Sequence, residues 1–325
     1  MHSSRKAWRT INELTGRSGH PSRQCPVSAN SIASQLIKNG AHKTGDSEPT
    51  RLINKQLSDL WKIPTPEDHS ISEPFRPEEL AAALRRLKPG KPPGLDSIFP
   101  EFILHARSDL KSWFCGFLNS CMRQLKIPKI WRRALVLATP KPEKPLGDPK
   151  SYHPISPLCV PFKILETLIY ARVETIIDPL LPQEQMGFRH GRPAVDQVTL
   201  LTQDIEDSFS AKKARAAFVD LTAAYDTVSH RGLTCKLLRL PPDRHMVHMI
   251  IEVVGNRSFT LTTGNGQRSR LRCLKNGIPQ GSVLVPLLFN IYISDLSTTI
   301  SRKYAYTDDL AIMHADGTGR QWKER

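Results

Sequence analysis

Ala216-Ala-Phe-Val-Asp220 is a short apolar run that ends on a carboxylate, and Tyr304-Ala-Tyr-Thr-Asp-Asp-Leu-Ala-Ile-Met313 is a second apolar stretch with two carboxylates at its middle. The first reads as a fully buried strand with Asp220 at its C-terminal end, the second as a tight hairpin with Asp308 and Asp309 at its turn. Three acids on two such elements can meet. Crowded carboxylates raise one another's pKa unless a cation neutralises them, and hard divalent ions with oxygen ligands are the usual answer. Two such ions activate a 3′-hydroxyl and hold a leaving pyrophosphate, so the pattern suits polynucleotide synthesis. By itself it is weak, because Asp at a strand end is an ordinary capping or turn residue.

Outward from these stretches the chain alternates helices and short strands. Pro77, Leu80, Leu84 and Leu87 with the stop Pro89-Gly90 predict an amphipathic helix, followed by a Pro/Gly-rich loop from Lys88 to Asp96. Residues 100–125 read as one helix, Leu135 to Ala138 as a strand, Pro161 to Ile177 and residues 193–209 as helices. Further helices follow near 230–240, 243–254 and 281–299. Between the last two, Ser258 to Thr263, Gly264-Asn265-Gly266 and Gln267 to Leu274 predict a hairpin. On its second strand Arg268, Arg270 and Arg272 alternate, so all three are expected on one face, either as a solvated surface or as a phosphate rail.

Forty-six Lys and Arg against 31 Asp and Glu give a net charge of +15, which points to a polyanionic partner and fits small neutral substrates poorly. A hydrophobic fraction of 39% is that of a globular chain, not one disordered throughout. The longest apolar tract, Val283 to Ile293, is interrupted by Pro286 and Asn290 and is too short to span a bilayer, so no membrane partner is expected. The basic stretch from Met1 to Arg17 lacks a secretory apolar core and reads as a flexible or partner-bound arm, with a transit peptide as the alternative. Six cysteines lack zinc spacing and read as buried or free thiols.

Phe218-Val-Asp-Leu-Thr-Ala-Ala-Tyr-Asp226, Gly277-Ile-Pro-Gln-Gly-Ser282 with Pro286-Leu-Leu-Phe-Asn290, and Tyr304-Ala-Tyr-Thr-Asp-Asp309 resemble, in order, the three palm motifs of reverse transcriptases. Upstream, Lys88-Pro-Gly-Lys-Pro-Pro-Gly-Leu-Asp96, Pro140-Lys141, Tyr152-His-Pro-Ile-Ser156 and Gln185-Met-Gly-Phe-Arg189 resemble the non-LTR (LINE-type) retrotransposon branch. The N-terminal segments Trp8 to Gly16 and Asn30 to Gly40 resemble the linker that precedes the polymerase in such elements.

The resemblance implies an α+β polymerase right hand with fingers and palm and without a thumb: residues 1–75 an extension, 76–215 fingers, 216–325 palm, and a core from about residue 135 onward. It implies RNA-directed DNA synthesis with two Mg²⁺ ions (Mn²⁺ as a substitute), an RNA template, a DNA primer and dNTPs; the sequence names no compartment beyond an intracellular one, the nucleus if the chain acts as its parent element would. Asp220, Asp308, Asp309 and the carbonyl of Leu221 then correspond to metal ligands and Tyr225 to a gate against the ribose 2′-hydroxyl. Gln280 and Gly281 correspond to nucleotide-contacting loop residues, and Lys141, with Lys144 as a second choice, to the triphosphate lysine. Asp226 corresponds to a structural residue.

His153, Ser97, Val285 and Thr307 depart from the family's usual Arg, Gly, small and Ala residues. The chain is therefore expected to be a truncated or degenerate copy. Two rival readings stand beside it: an RNA-dependent RNA polymerase, against which Tyr225 argues, and a non-catalytic remnant that only binds nucleic acid.

Overall fold

The structure, a computed structural model, describes residues 25–41, 48–64, 71–210, 214–221, 223–240, 243–296 and 301–315. The basic N-terminal arm lies outside them. In chain order the helices are α1 (Ala29–Asn39), α2 (Glu48–Lys62), α3 (Pro77–Arg86), α4 (Pro100–Leu104), α5 (Ser108–Gln124), α6 (Val160–Ile177), α7 (Ala194–Ser210), α8 (His230–Leu238), α9 (Arg244–Val254) and α10 (Val285–Ile293). The strands are β1 (Arg133–Pro140), β2 (Tyr152–Ile155), β3 (Ala214–Asp220), β4 (Arg257–Thr262), β5 (Arg272–Leu274), β6 (Arg302–Tyr306) and β7 (Asp309–Ala315). Helix and sheet mix as an α+β chain. None of the described helices is long and apolar enough to cross a membrane.

Contacts divide the chain into two units, the described residues up to Val173 with Tyr225–Val285, and Glu174–Ala224 with those from Pro286 onward. The first unit holds a four-stranded sheet in the order β2-β1-β4-β5, with β1 and β4 parallel and the other pairs antiparallel. Its core is supplied by α6, on which Phe162, Ile164, Leu165, Leu168 and Ile169 are all buried, together with Val136, Leu137, Phe259 and Leu261 of the sheet. Helix α9 presents Met246, Val247, Ile250 and Val253 inward, and its Asp243 cap accepts from the Met246 amide at 2.7 Å.

Three details of this unit depart from the sequence reading. Residues 100–125 form two helices, because the chain breaks at His105 and a new N-terminus opens at Ser108 with Asp109 in its first turn. Helices α1 and α2 occupy a region without a clear apolar period. The first is capped by Ser28, buries Ile32 and Ala33 and packs on β4 and β5, so tertiary contacts hold it more than propensity does. The three arginines of the second hairpin strand do not share a face. Its register runs Phe259↔Arg272 but Thr262↔Arg268, so one extra residue bulges out between them. Arg268 and Arg270 are exposed, whereas Arg272 turns toward α1 and donates to Ser34 Oγ.

Arg172 ties α6 to α3. Its Nε and Nη2 each donate to the Glu79 carboxylate at 2.8 Å, and the guanidinium lies 4.5 Å from the Phe75 ring centre. The hydrogen bonds from Arg172 hold the Glu79 carboxyl below its ordinary value. A depressed carboxyl pKa stabilises the fold above the unfolded-state value and loses that contribution as pH falls through the folded-state value. The urea midpoint of Glu79→Gln is therefore expected to lie below wild type near neutral pH, with the gap closing as pH is lowered past the normal glutamate range. A gap that stays constant with pH contradicts this.

The second unit is a three-stranded antiparallel sheet, β3-β7-β6, covered by α7. Leu201 and Ile205 of α7 pack on Tyr304, Ala311 and Met313, while Asp204 bonds the Tyr304 hydroxyl and Arg302. β3 is not the buried strand its composition predicts. It is an edge strand of the sheet, with Phe218 72% and Val219 40% exposed.

Candidate functional site

The second unit carries the carboxylates. β3 and β7 pair with Asp220 directly across from Asp309, so the two side chains leave the same face of the sheet. Their Cβ atoms are then about 4.5–5.5 Å apart. Tyr306 pairs with Asp309, so the turn between β6 and β7 is the two-residue Thr307-Asp308, and Asp309 opens β7 instead of sitting in the turn. Such two-residue hairpins need positive φ in the turn, and Thr307 supplies it at φ 59°.

The Thr307 hydroxyl donates to Asp308 Oδ1 at 2.8 Å and holds that carboxylate at the turn. The expected meeting of three acids is met in part. Register brings Asp220 and Asp309 together with Asp308 next in sequence, and among the described residues no three acidic, His or Cys side chains converge on one point. Like charges keep such groups apart. The Leu221 carbonyl accepts from the Ala224 amide at 3.2 Å, which still leaves a lone pair for a ligand.

Two further motifs converge on this hairpin. Met186 N donates to Ala305 O at 2.9 Å and Ala305 N to Glu184 O at 3.0 Å, which lays residues 184–186 along β6. Gln185 Nε2 donates to Thr307 O at 3.1 Å, and its Oε1 accepts from Gly187 N at 3.1 Å. A Cβ on Gly187 would lie 2.9 Å from Thr307 Cα and closer still to its amide nitrogen, so a side chain there displaces the turn. Buried Asn290, from α10, donates to Gly187 O at 2.9 Å. These supporting roles of Gln185, Gly187 and Asn290 are invisible in composition, since none is a catalytic residue type.

The first unit carries the other motif residues. Ile278 N donates to Tyr225 O at 2.9 Å and Gly277 N to Val228 O at 2.8 Å, so the segment with Tyr225 is sewn to the start of the Gln280-Gly281 loop. Gly277, at φ 83°, brings its Cα against Asp226, where an added Cβ would lie 2.8 Å from Asp226 O. Asp226 is also approached by Asn39 Nδ2 at 3.4 Å, and burial raises its pKa. It serves as a structural hub.

Gly281 has φ 107°, and an added Cβ would meet Ser156 O at 3.1 Å, which places the loop against the Tyr152-His-Pro-Ile-Ser156 segment. Beneath the loop, Glu166 of α6 is fully buried, accepting from the Ser282 hydroxyl and from Val283 N at 3.1 Å. Burial raises the Glu166 pKa, and those two bonds with the Arg257 and Lys163 cations pull it back.

Lys141, half-buried at the end of β1, donates its backbone amide to Ser151 O at 2.8 Å. Partial desolvation, with the Lys141 ammonium second, lowers the His153 pKa, so its imidazole is neutral near pH 7. A cleft of about 60 Å³ lies beside Pro154, Ser156, Asp226, Gly277 and Gln280. By itself it is far smaller than the roughly 300–1,000 Å³ of ligand pockets. A larger groove of about 340 Å³ between α3 and α5 contains none of the motif residues.

Residues 139–320 match the family described as reverse transcriptase (RNA-dependent DNA polymerase). The chain belongs to that family. It is 33% identical over 271 residues to a probable RNA-directed DNA polymerase from transposon BS of Drosophila melanogaster, covering 79% of this chain and 30% of that protein. It is 32% identical over 248 residues to the RNA-directed DNA polymerase from mobile element jockey of the same species, covering 74% and 26%. A third relative, the Pol polyprotein from retrotransposable element R2 of Popillia japonica, is 25% identical over 223 residues, covering 69% and 30%. The chain spans less than a third of the length of these relatives.

Proposed function

We propose that this chain is the fingers and palm of a non-LTR retrotransposon reverse transcriptase and extends a DNA primer on an RNA template from dNTPs. The observation that carries this reading is the register of Asp220 against Asp309 with Asp308 in the adjoining turn, inside the matched family region. The donor set is hard oxygen: three carboxylates and the Leu221 carbonyl, exposed or half-buried, which fits Mg²⁺ or Mn²⁺. Bound there, two divalent ions would lower the pKa of the primer 3′-hydroxyl and neutralise the leaving pyrophosphate. Asp220, Asp308, Asp309 and Leu221 hold and orient. Tyr225 crowds a ribose 2′-hydroxyl, Gln280 and Gly281 offer side chain and close backbone to the incoming nucleotide, and Lys141 offers a cation to its triphosphate. The net +15 supplies nonspecific grip on the template.

Neutral His153, where the family usually has Arg, favours a second reading: a chain that holds nucleic acid without extending it. Extension of oligo(dT) on poly(rA) with dTTP and Mg²⁺, beside salt-dependent binding to the same duplex, separates the two. Extension supports the first reading; binding without extension supports the second. His153→Arg restores a permanent charged donor, and a charge-assisted contact of this kind is expected to lower KM for dTTP about tenfold. An unchanged KM contradicts a triphosphate contact at this position.

A further inference from the structure

We infer that Gln185 is the positioning residue of the Thr307-Asp308 turn: its side-chain amide holds Thr307 in a left-handed conformation that a β-branched residue does not keep unaided. Thr307 sits at φ 59°, a region where a branched Cβ is strained, and such strain persists only where surrounding structure over-determines it. Here the determinants are visible. Gln185 is 4% exposed and spends both ends of its amide locally, donating to Thr307 O and accepting from Gly187 N.

Its own backbone is fixed in turn. The neighbouring residues pair with Ala305 on β6, and the buried Arg189 side chain donates to Pro182 O at 2.8 Å and Gln185 O at 3.2 Å while pairing with Asp178. Asn290 and the bare Cα of Gly187 close the other side of the turn. The Thr307 hydroxyl bonds Asp308, so the backbone angle Gln185 enforces sets where the Asp308 carboxylate stands. Gln185 touches no reacting group and acts through Thr307.

The assignment of a consequence for metal binding rests on the proposed function; the mechanical coupling does not. Amide hydrogen exchange over residues 302–313 in the full chain tests the coupling in wild type, Gln185→Ala, Thr307→Gly and the double variant. Gln185→Ala is expected to speed exchange of the hairpin about tenfold while leaving β1 unchanged, and Gln185→Glu, which keeps the acceptor and loses the donor, to do the same. Glycine adopts positive φ without strain, so in the Thr307→Gly background the further effect of Gln185→Ala is expected to shrink to about twofold or less.

Unaltered hairpin exchange in Gln185→Ala, or an undiminished effect in the Thr307→Gly background, overturns the inference. Mn²⁺ affinity by electron paramagnetic resonance is the second readout: about tenfold weaker in Gln185→Ala and recovered in the double variant. If the wild-type chain takes up no Mn²⁺, the metal reading of Asp308 fails while the exchange cycle still decides the role of Gln185.

Discussion

Asp220→Asn and Asp309→Asn are each expected to lower primer extension about a thousandfold or more with nucleic-acid binding intact. The two residues face each other across β3 and β7, so on the proposed function each substitution removes one of its anionic ligands without touching the core. Divalent ions supply several kcal/mol of transition-state charge stabilisation, and each 1.4 kcal/mol or so is a factor of about ten in rate. Asn keeps the size and one oxygen, so folding is expected to survive; Asp220 and Asp309 are exposed and their replacement lies within the range of surface substitutions. Extension rates within about tenfold of wild type for both variants would remove them from the ligand set.

Glu166→Leu carries the largest expected stability effect. The carboxylate has no solvent exposure and faces Arg257, 3% exposed, and Lys163. Leu fills the space but leaves the Ser282 hydroxyl and Val283 amide unpaired. Each donor left unpaired in this way costs about 1–3 kcal/mol, and two are left here. That is a large share of the roughly 5–15 kcal/mol by which domains are stable. Glu166→Gln keeps an acceptor and loses the charge, so its loss is expected to be intermediate. Urea midpoints at constant m-value check the order; a Leu variant as stable as wild type contradicts it.

Much of the element order was legible because apolar period and punctuation agree. Pro77 opens α3 and Pro89-Gly90 follows its end; α6 begins within a residue of its expected start, where Ile164, Leu165, Leu168, Ile169 and Val173 mark a continuous apolar side. What was not legible depends on contacts remote in sequence. Helix α1 offers few apolar residues and draws its stability from β4 and β5, the bulge before Arg272 is a backbone event with no compositional mark, and β3 is apolar yet lies at an edge.

At the site, the carboxylates are legible as motif and Gln185, Gly187 and Asn290 as members of motif stretches, whereas the register of Asp220 against Asp309 and the contacts of the supports are not. Gln185 and Asn290 look like any buried amide. Glu166 did leave a signal: an acid set among the apolar Ile164, Leu165, Leu168 and Ile169, on the face of the helix that turns to the core.

The most direct measurement on the central claim, that β3 and the β6–β7 hairpin jointly hold a divalent ion, is Mn²⁺ titration of the full chain followed by electron paramagnetic resonance, in wild type and in the Asp220→Asn and Asp309→Asn variants. Saturable binding that weakens at least about tenfold in each variant is the expected result. Binding of equal strength in all three proteins, or none in the wild type, would contradict it.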